Sequence, residues 1–318
     1  MFSSKLTSKN VAFLAIFIAL SVIIIKFVPG IPIVGVSGSE IKFDAAIAPI
    51  YGMIIGPYLG FLAALIAGFL TSGSPFSFLT SFAPAVSAMI AGFLTSERVT
   101  ERTKIPGWIA AAVILGALIA GWYMTWVGMQ APLYPILHLA GFFAILITRK
   151  WTAKSLNEIG LKKEGWQFKS SHILLAIVLM ACAYMFSKPY INEEIWILPY
   201  LSIPLYIVAA IFILYGIFGA GKFSFVSSVF LASYCGIIAD HMLGNLIFIG
   251  VINVFFPLTV IQSIFLEPLG LPDVPSLFMY MIPVSAAERL LMTTIATIFG
   301  VGLLGALYRA GFLSRKRK

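Results

Sequence analysis

The chain has 318 residues, 60% of them hydrophobic and 10% charged, with a mean hydropathy of +1.02 and a formal charge of +9. A water-soluble surface needs about a quarter of its residues charged, so a soluble two-domain protein is excluded and a polytopic membrane protein remains. At about 20 residues per apolar span, roughly ten helices fit and no sizeable soluble catalytic domain does.

In chain order, Lys5 and Lys9 precede an apolar run, Val11 to Val28, which reads as a retained first helix because it is long for a signal peptide and no A-x-A-like cleavage site follows. After an outer segment, Pro29 to Lys42, spans are expected near 43–56, 57–71 and 76–95, the first two separated by the turn signal Gly56-Pro57. A charged cluster, Glu97 to Lys104, is followed by spans near 107–127 and 131–148 and by a basic loop from Arg149 to Lys169. Four further crossings are expected near 171–187, 196–220, 224–256 and 281–308. The stretch 224–256 is long for one helix and could be broken, with a re-entrant piece at Leu258 to Leu266.

Lys and Arg in short loops stay on the cytoplasmic side. The arrangement with both termini cytoplasmic places 17 of the 21 basic residues inside, including the tail Arg309, Arg315, Lys316, Arg317 and Lys318. The expected fold class is therefore an all-α polytopic transmembrane bundle of about ten spans in the plasma membrane.

Several chemistries are excluded by what the chain lacks. Cys182 and Cys235 both lie in apolar stretches, which argues against a disulfide framework, and His138, His172 and His241 are too far apart for a local metal motif. There is no phosphate loop, dinucleotide fingerprint or nucleophile elbow, so ATP chemistry would sit on another chain. No cofactor or metal is expected. The basic residues lie at helix ends without interleaved aromatics, which fits topology rather than nucleic acid.

A first helix carrying Ala15-Ile-Phe-Ile-Ala19 is followed by the polar loop Val34-Gly-Val-Ser-Gly-Ser-Glu40, then Ile41-Lys-Phe-Asp-Ala-Ala-Ile-Ala-Pro49, then Gly56-Pro57-Tyr58-Leu59-Gly60. Residues 11–96 resemble the substrate-binding S components of energy-coupling factor (ECF) vitamin transporters. That family implies a six-helix bundle, a small-molecule substrate, a coupling membrane subunit and separate ABC-type ATPases. By resemblance, Ala15 and Ala19 would be the close-packing surface for the coupling subunit. The loop residues Gly35, Gly38, Ser39, Glu40, Lys42 and Asp44 would gate the site.

About ten spans exceed six. Either 1–150 is a complete bundle with an appendage, or 1–100 and 224–312 are one bundle interrupted by a four-helix unit at 105–220. The second is preferred, because Gly236-Ile-Ile-Ala-Asp-His-Met-Leu-Gly-Asn245 and Ile282-Pro-Val-Ser-Ala-Ala-Glu-Arg289 are similar to the closing helices of S components. Residues 313–318 form a basic cytoplasmic tail.

Ionisable groups within spans are costly and so face a bundle interior or an aqueous cavity. Asp240, His241, Asn245, Glu288 and Arg289 are the candidate substrate-binding residues, with Arg289 suited to bidentate carboxylate recognition. Neighbours Glu288 and Arg289 are not expected to pair with each other, and Asp240 is the expected partner of Arg289. Trp122, Tyr123, Trp126 and Tyr134 are expected in an interfacial aromatic belt, and His138 is expected to be a satisfied packing residue. A stand-alone secondary transporter, an intramembrane enzyme and an assembly protein are the alternative readings. The enzyme lacks a paired HxxxH, DxxD or Ser-Lys constellation, and the chain is read as non-enzymatic.

Overall fold

The computed structural model describes residues 7–29, 31–32, 40–41, 43–100, 102–157, 169–187, 198–219 and 223–313. Helix α1 (Ser8–Phe27) opens the chain, and a two-residue antiparallel pairing, β1 (Ile31–Pro32) with β2 (Glu40–Ile41), follows it. The rest is helical: α2 (Asp44–Ile55), α3 (Pro57–Thr71), α4 (Pro75–Thr80), α5 (Phe82–Thr95), α6 (Gly107–Tyr123), α7 (Trp126–Gln130), α8 (Ile136–Thr148) and α9 (Trp151–Asn157). Beyond these lie α10 (Ser170–Ser187), α11 (Leu198–Phe218), α12 (Phe223–Val251), α13 (Leu258–Ile261), a π-turn at Gln262–Leu266, α14 (Glu267–Leu269), α15 (Val274–Tyr280) and α16 (Ile282–Arg309). The protein is an all-α helical bundle of the membrane type. Among the described residues, five helical stretches are long and apolar enough to cross a membrane, and six shorter apolar helices accompany them.

Breaks fall where the backbone demands them. At Gly56 φ is +86°, a value that side chains disfavour, and Pro57 starts α3 at a position where no intrahelical donor is needed. The chain reverses there, because a Cβ on Gly60 would lie 2.7 Å from the Gly52 Cα. The expected span 76–95 is present as the 21-residue apolar stretch Pro75–Thr95, with a one-residue turn at Ser81 between α4 and α5: Pro84 cannot donate to the carbonyl of Thr80, so the α-helical ladder loses a bond there. The stretch near 107–127 likewise ends at Tyr123, and Thr125 caps the short α7 through Gly128 N at 2.9 Å. The long region 224–256 is one unbroken helix to Val251, 29 residues or about 43 Å at 1.5 Å per residue. That exceeds a hydrocarbon core of about 30 Å, so α12 runs tilted or extends beyond it.

Helix α12 is central. It packs most extensively on α5 and also touches α16, α8, α9, α6 and α2. The small residues of α5 permit this: Ser87 and Ala88 are fully buried, and Gly236 of α12 sits so close to Ser87 that a Cβ there would lie 2.8 Å from its carbonyl oxygen. Helix α1 lies at the edge, held by Phe17 stacked on Tyr51 at 4.6 Å and by a 2.6 Å hydrogen bond between the hydroxyls of Ser21 and Tyr51. Helices α10 and α11 form a hairpin that packs on itself and on α16 through Ala183, Tyr206 and Leu290. Four buried threonines satisfy themselves locally: the hydroxyls of Thr95, Thr293, Thr294 and Thr297 each donate to the carbonyl four residues earlier.

Candidate functional site

Polar groups gather where the start of α8, the middle of α12 and the first turns of α16 meet. His241 and Asn245 are four residues apart on α12 and so share a face. The Asn245 amide Nδ2 donates to the Tyr134 hydroxyl at 2.8 Å, and that hydroxyl lies 3.1 Å from His241 Nε2. Ser285 of α16 reaches the same hydroxyl. Tyr134 precedes α8, and His138 follows it one turn later, with its ring 5.4 Å from and nearly parallel to that of His241. Trp122 stacks on Tyr134 at 4.6 Å, and Phe278 of α15 meets both edge-on at 5.1 and 5.0 Å.

Among the described residues, four atoms here are buried without a hydrogen-bond partner: both ring nitrogens of His138, Nδ1 of His241 and Nε of Arg289. Each such group costs about 1–3 kcal/mol when left unmet, and native structures keep few of them. The other buried orphans, on Ser87, Trp108, Thr152 and Ser233, belong to other parts of the bundle. A threonine in a helix can turn back to its own carbonyls, whereas an imidazole cannot, so the histidines depend on what is brought to them. Arg289 is the charge that Tyr134, His138, Asp240 and His241 all experience.

The five sequence-predicted residues converge, with one change of partner. Arg289 pairs with Glu288, its own neighbour, at 2.5 Å, both side chains being largely buried. Adjacent helix positions diverge by about 100° at Cβ, but the flexible Arg stem curls back across that angle. Asp240 experiences Arg289 electrostatically without a described ion pair to it, and it also experiences Asp44 at the start of α2. Thus the described end of the predicted gating loop approaches the cluster. Glu40 lies in β2, while Gly35, Gly38, Ser39 and Lys42 fall outside the described residues. Ala15 and Ala19 lie on the exposed side of α1, opposite the face of Phe17 and Ser21.

Sequence reading missed four participants. Trp122 and Tyr134 are not interfacial: both are buried, unlike Tyr123 and Trp126, which are exposed. His138 is buried as expected, at 1% exposure, but it is not satisfied. Phe278 drew no notice at all. The available signal was the four-residue spacing of Tyr134 and His138, which puts a phenol and an imidazole on one side of the chain. Among the described residues, no three His, Cys, Asp or Glu side chains converge as metal ligands.

Residues 5–159, just under half of the chain, match the family model described as ECF-type riboflavin transporter, S component. The resemblance seen in residues 11–96 is thus shown, and it extends through α9 into helices that the sequence reading had assigned to an inserted unit. The matched family is a class of membrane transporter component, not of enzyme. No curated protein and no solved structure matches the chain.

Proposed function

We propose, from the premise of this S-component likeness, that the chain is the membrane-embedded substrate-binding subunit of an ECF-type importer in the plasma membrane. It captures a small vitamin-like solute from outside and is energised by a separate coupling membrane protein and ABC-type ATPases. The matched family's description names riboflavin, which makes a flat aromatic vitamin the first substrate to test. The observation carrying this reading is the convergence of unmet buried polar atoms from α8, α12 and α16 beside three packed aromatic rings.

In this reading Asn245, through Tyr134, orients His241, while Glu288 holds Arg289 with its Nε free to engage substrate. Asp240 and Asp44 stand where the loop Gly35, Gly38, Ser39, Glu40 and Lys42 would close. The exposed alanines of α1 are left for the coupling subunit. Residues 223–309 close the bundle begun by 8–95, which is supported by the packing of α12 on α5 and of α16 on α2. Of the intervening 105–220, residues up to 159 lie within the family match and α6 and α8 pack back onto α5 and α12, so the added unit narrows to the α10–α11 hairpin, which rests mainly on α16.

Affinity purification of the full chain in mild detergent, followed by mass spectrometry, tests the assignment. Co-purification of a coupling membrane protein with ABC-type ATPases is expected, and Ala15→Leu with Ala19→Leu should reduce it at least tenfold while leaving riboflavin binding intact. Reconstituted uptake that proceeds without ATPases and collapses with the proton gradient would instead make this a secondary transporter.

A further inference from the structure

We infer that His138 contacts the substrate and determines specificity, and that it selects a flat, acceptor-rich nitrogen heterocycle bearing an adjacent N–H donor, the imide type of edge. This rests on the substrate-site reading above and adds to it a residue outside the predicted set and the ligand edge that this residue reads.

The argument is a count of unmet hydrogen-bonding groups. Tyr134 has one hydroxyl proton. In the assignment where Asn245 Nδ2 and the Ser285 hydroxyl both donate to its oxygen, that proton goes to His241 Nε2. His241 then carries its remaining proton on Nδ1, which has no acceptor. Arg289 Nε–H is a second donor without an acceptor. A neutral imidazole has one donor and one acceptor nitrogen, and His138 has neither matched. The site therefore offers three donors and one acceptor, all buried.

A simple carboxylate would meet the donors and leave the acceptor nitrogen of His138 unmet. A purely apolar ring would meet none of them. An edge with carbonyl or ring-nitrogen acceptors flanking an N–H meets both kinds. The surroundings are aromatic: His138 packs on His241 at 5.4 Å and Trp122 on Tyr134 at 4.6 Å, and a wall of rings favours an aromatic ligand over an aliphatic one. His138 lies four residues from Tyr134, so one short segment brings both the ring that orients His241 and the nitrogen that reads the donor.

The test uses full-length protein in detergent micelles, with riboflavin, whose ring carries such an edge, and its N3-methyl derivative, which lacks the N–H. Binding is read by flavin fluorescence and folding by thermal melting without ligand. His138→Phe is expected to weaken riboflavin by about 30-fold. It should not lower the ligand-free melting temperature, since it removes two unmet polar atoms and keeps a flat ring. His138→Gln, which keeps a donor and an acceptor, should recover part of the affinity. N3-methylation should cost affinity in the wild type and little more in His138→Phe.

Equal riboflavin affinity in the wild type and His138→Phe would overturn the inference while leaving the transporter reading intact. So would equal affinity of the wild type for riboflavin and its N3-methyl derivative. A wild type that ignores riboflavin but is stabilised by lumazine or xanthine, with His138→Phe abolishing the effect, would reject riboflavin and uphold the inference. A wild type stabilised by none of these overturns both.

Discussion

Two junctions of this bundle are built on opposite terms. Where α2, α3 and α5 cross, backbones touch: a Cβ on Gly92 would lie 2.6 Å from the Pro57 Cα, and one on Gly52 would collide with the carbonyl of Ala88. Nothing can be added there. Where α8, α12 and α16 meet, side chains are large and aromatic, and four buried polar atoms have no partner. The first junction is complete within the chain, since van der Waals contact between close backbones is its driving force. The second has no such closure among the described residues, and in the proposed reading it is substrate that meets those atoms. If the second junction is the substrate site proposed above, stability and binding lie in different places, and substitutions should separate them.

The largest effect is expected at the closed junction. Gly52→Ala places a methyl group against backbone that cannot yield, at a cost of about 3 kcal/mol or more. It should appear as loss of monodisperse protein and a lower melting temperature, with normal riboflavin affinity in whatever remains folded. Reduced affinity in the folded fraction would break the separation.

At the open junction the order reverses. His241→Phe should cost affinity on the order of 30-fold, because it removes a buried donor and the partner of Tyr134, with little change in ligand-free melting. A melting loss as large as that of Gly52→Ala would mean the histidine serves packing. Tyr134→Phe is expected to be milder, about tenfold in affinity, since the ring still stacks between Trp122 and Phe278 while His241 and Asn245 lose their shared partner. Titration calorimetry of the two variants and their double mutant should show non-additivity, as expected for groups acting through one hydroxyl.

The smallest effect lies outside the spans. Asp273 caps α15 by accepting from Ser276 N at 2.8 Å, and its hydrogen bonds with Ser276 hold its carboxyl below the usual aspartate range. A carboxyl depressed in the folded state contributes stability above its unfolded pKa and loses it as pH falls through the lower folded value. Asp273→Ala should therefore loosen α15, and Phe278 with it, slightly at neutral pH and not at all in strong acid. Hydrogen exchange across residues 274–280 measures this. Equal protection at pH 7 would show that Phe278 is held by packing alone.

Much of the fold was legible because apolar length and turn chemistry are local. Gly56-Pro57 marked the reversal between α2 and α3, and the predicted bounds 43–56 and 57–71 differ from the observed ones by a residue at most at each end. The expected span 76–95 matches the apolar stretch Pro75–Thr95, and only its one-residue turn at Ser81 is not legible, since a proline such as Pro84 in a membrane span does not always interrupt it. Asp240, His241, Asn245, Glu288 and Arg289 stood out because charge and amide within an apolar run are expensive wherever they point. Trp122 and Tyr134 did not, because an aromatic near a helix end has the same local appearance whether it faces lipid headgroups or a buried imidazole.

The sequence by itself determined that this is a membrane bundle, which residues could be too polar for lipid, and the S-component likeness of its first half. These follow from transfer free energies and backbone constraints carried by each short segment alone. Only the tertiary structure decided that Arg289 turns to Glu288 and that Ala15 and Ala19 face outward. It alone placed His138 against His241, 103 positions apart in the chain, with both nitrogens of the first and Nδ1 of the second unmet. A hydrogen bond requires two groups within about 3 Å, and for groups so far apart in sequence that distance is set by how the helices pack.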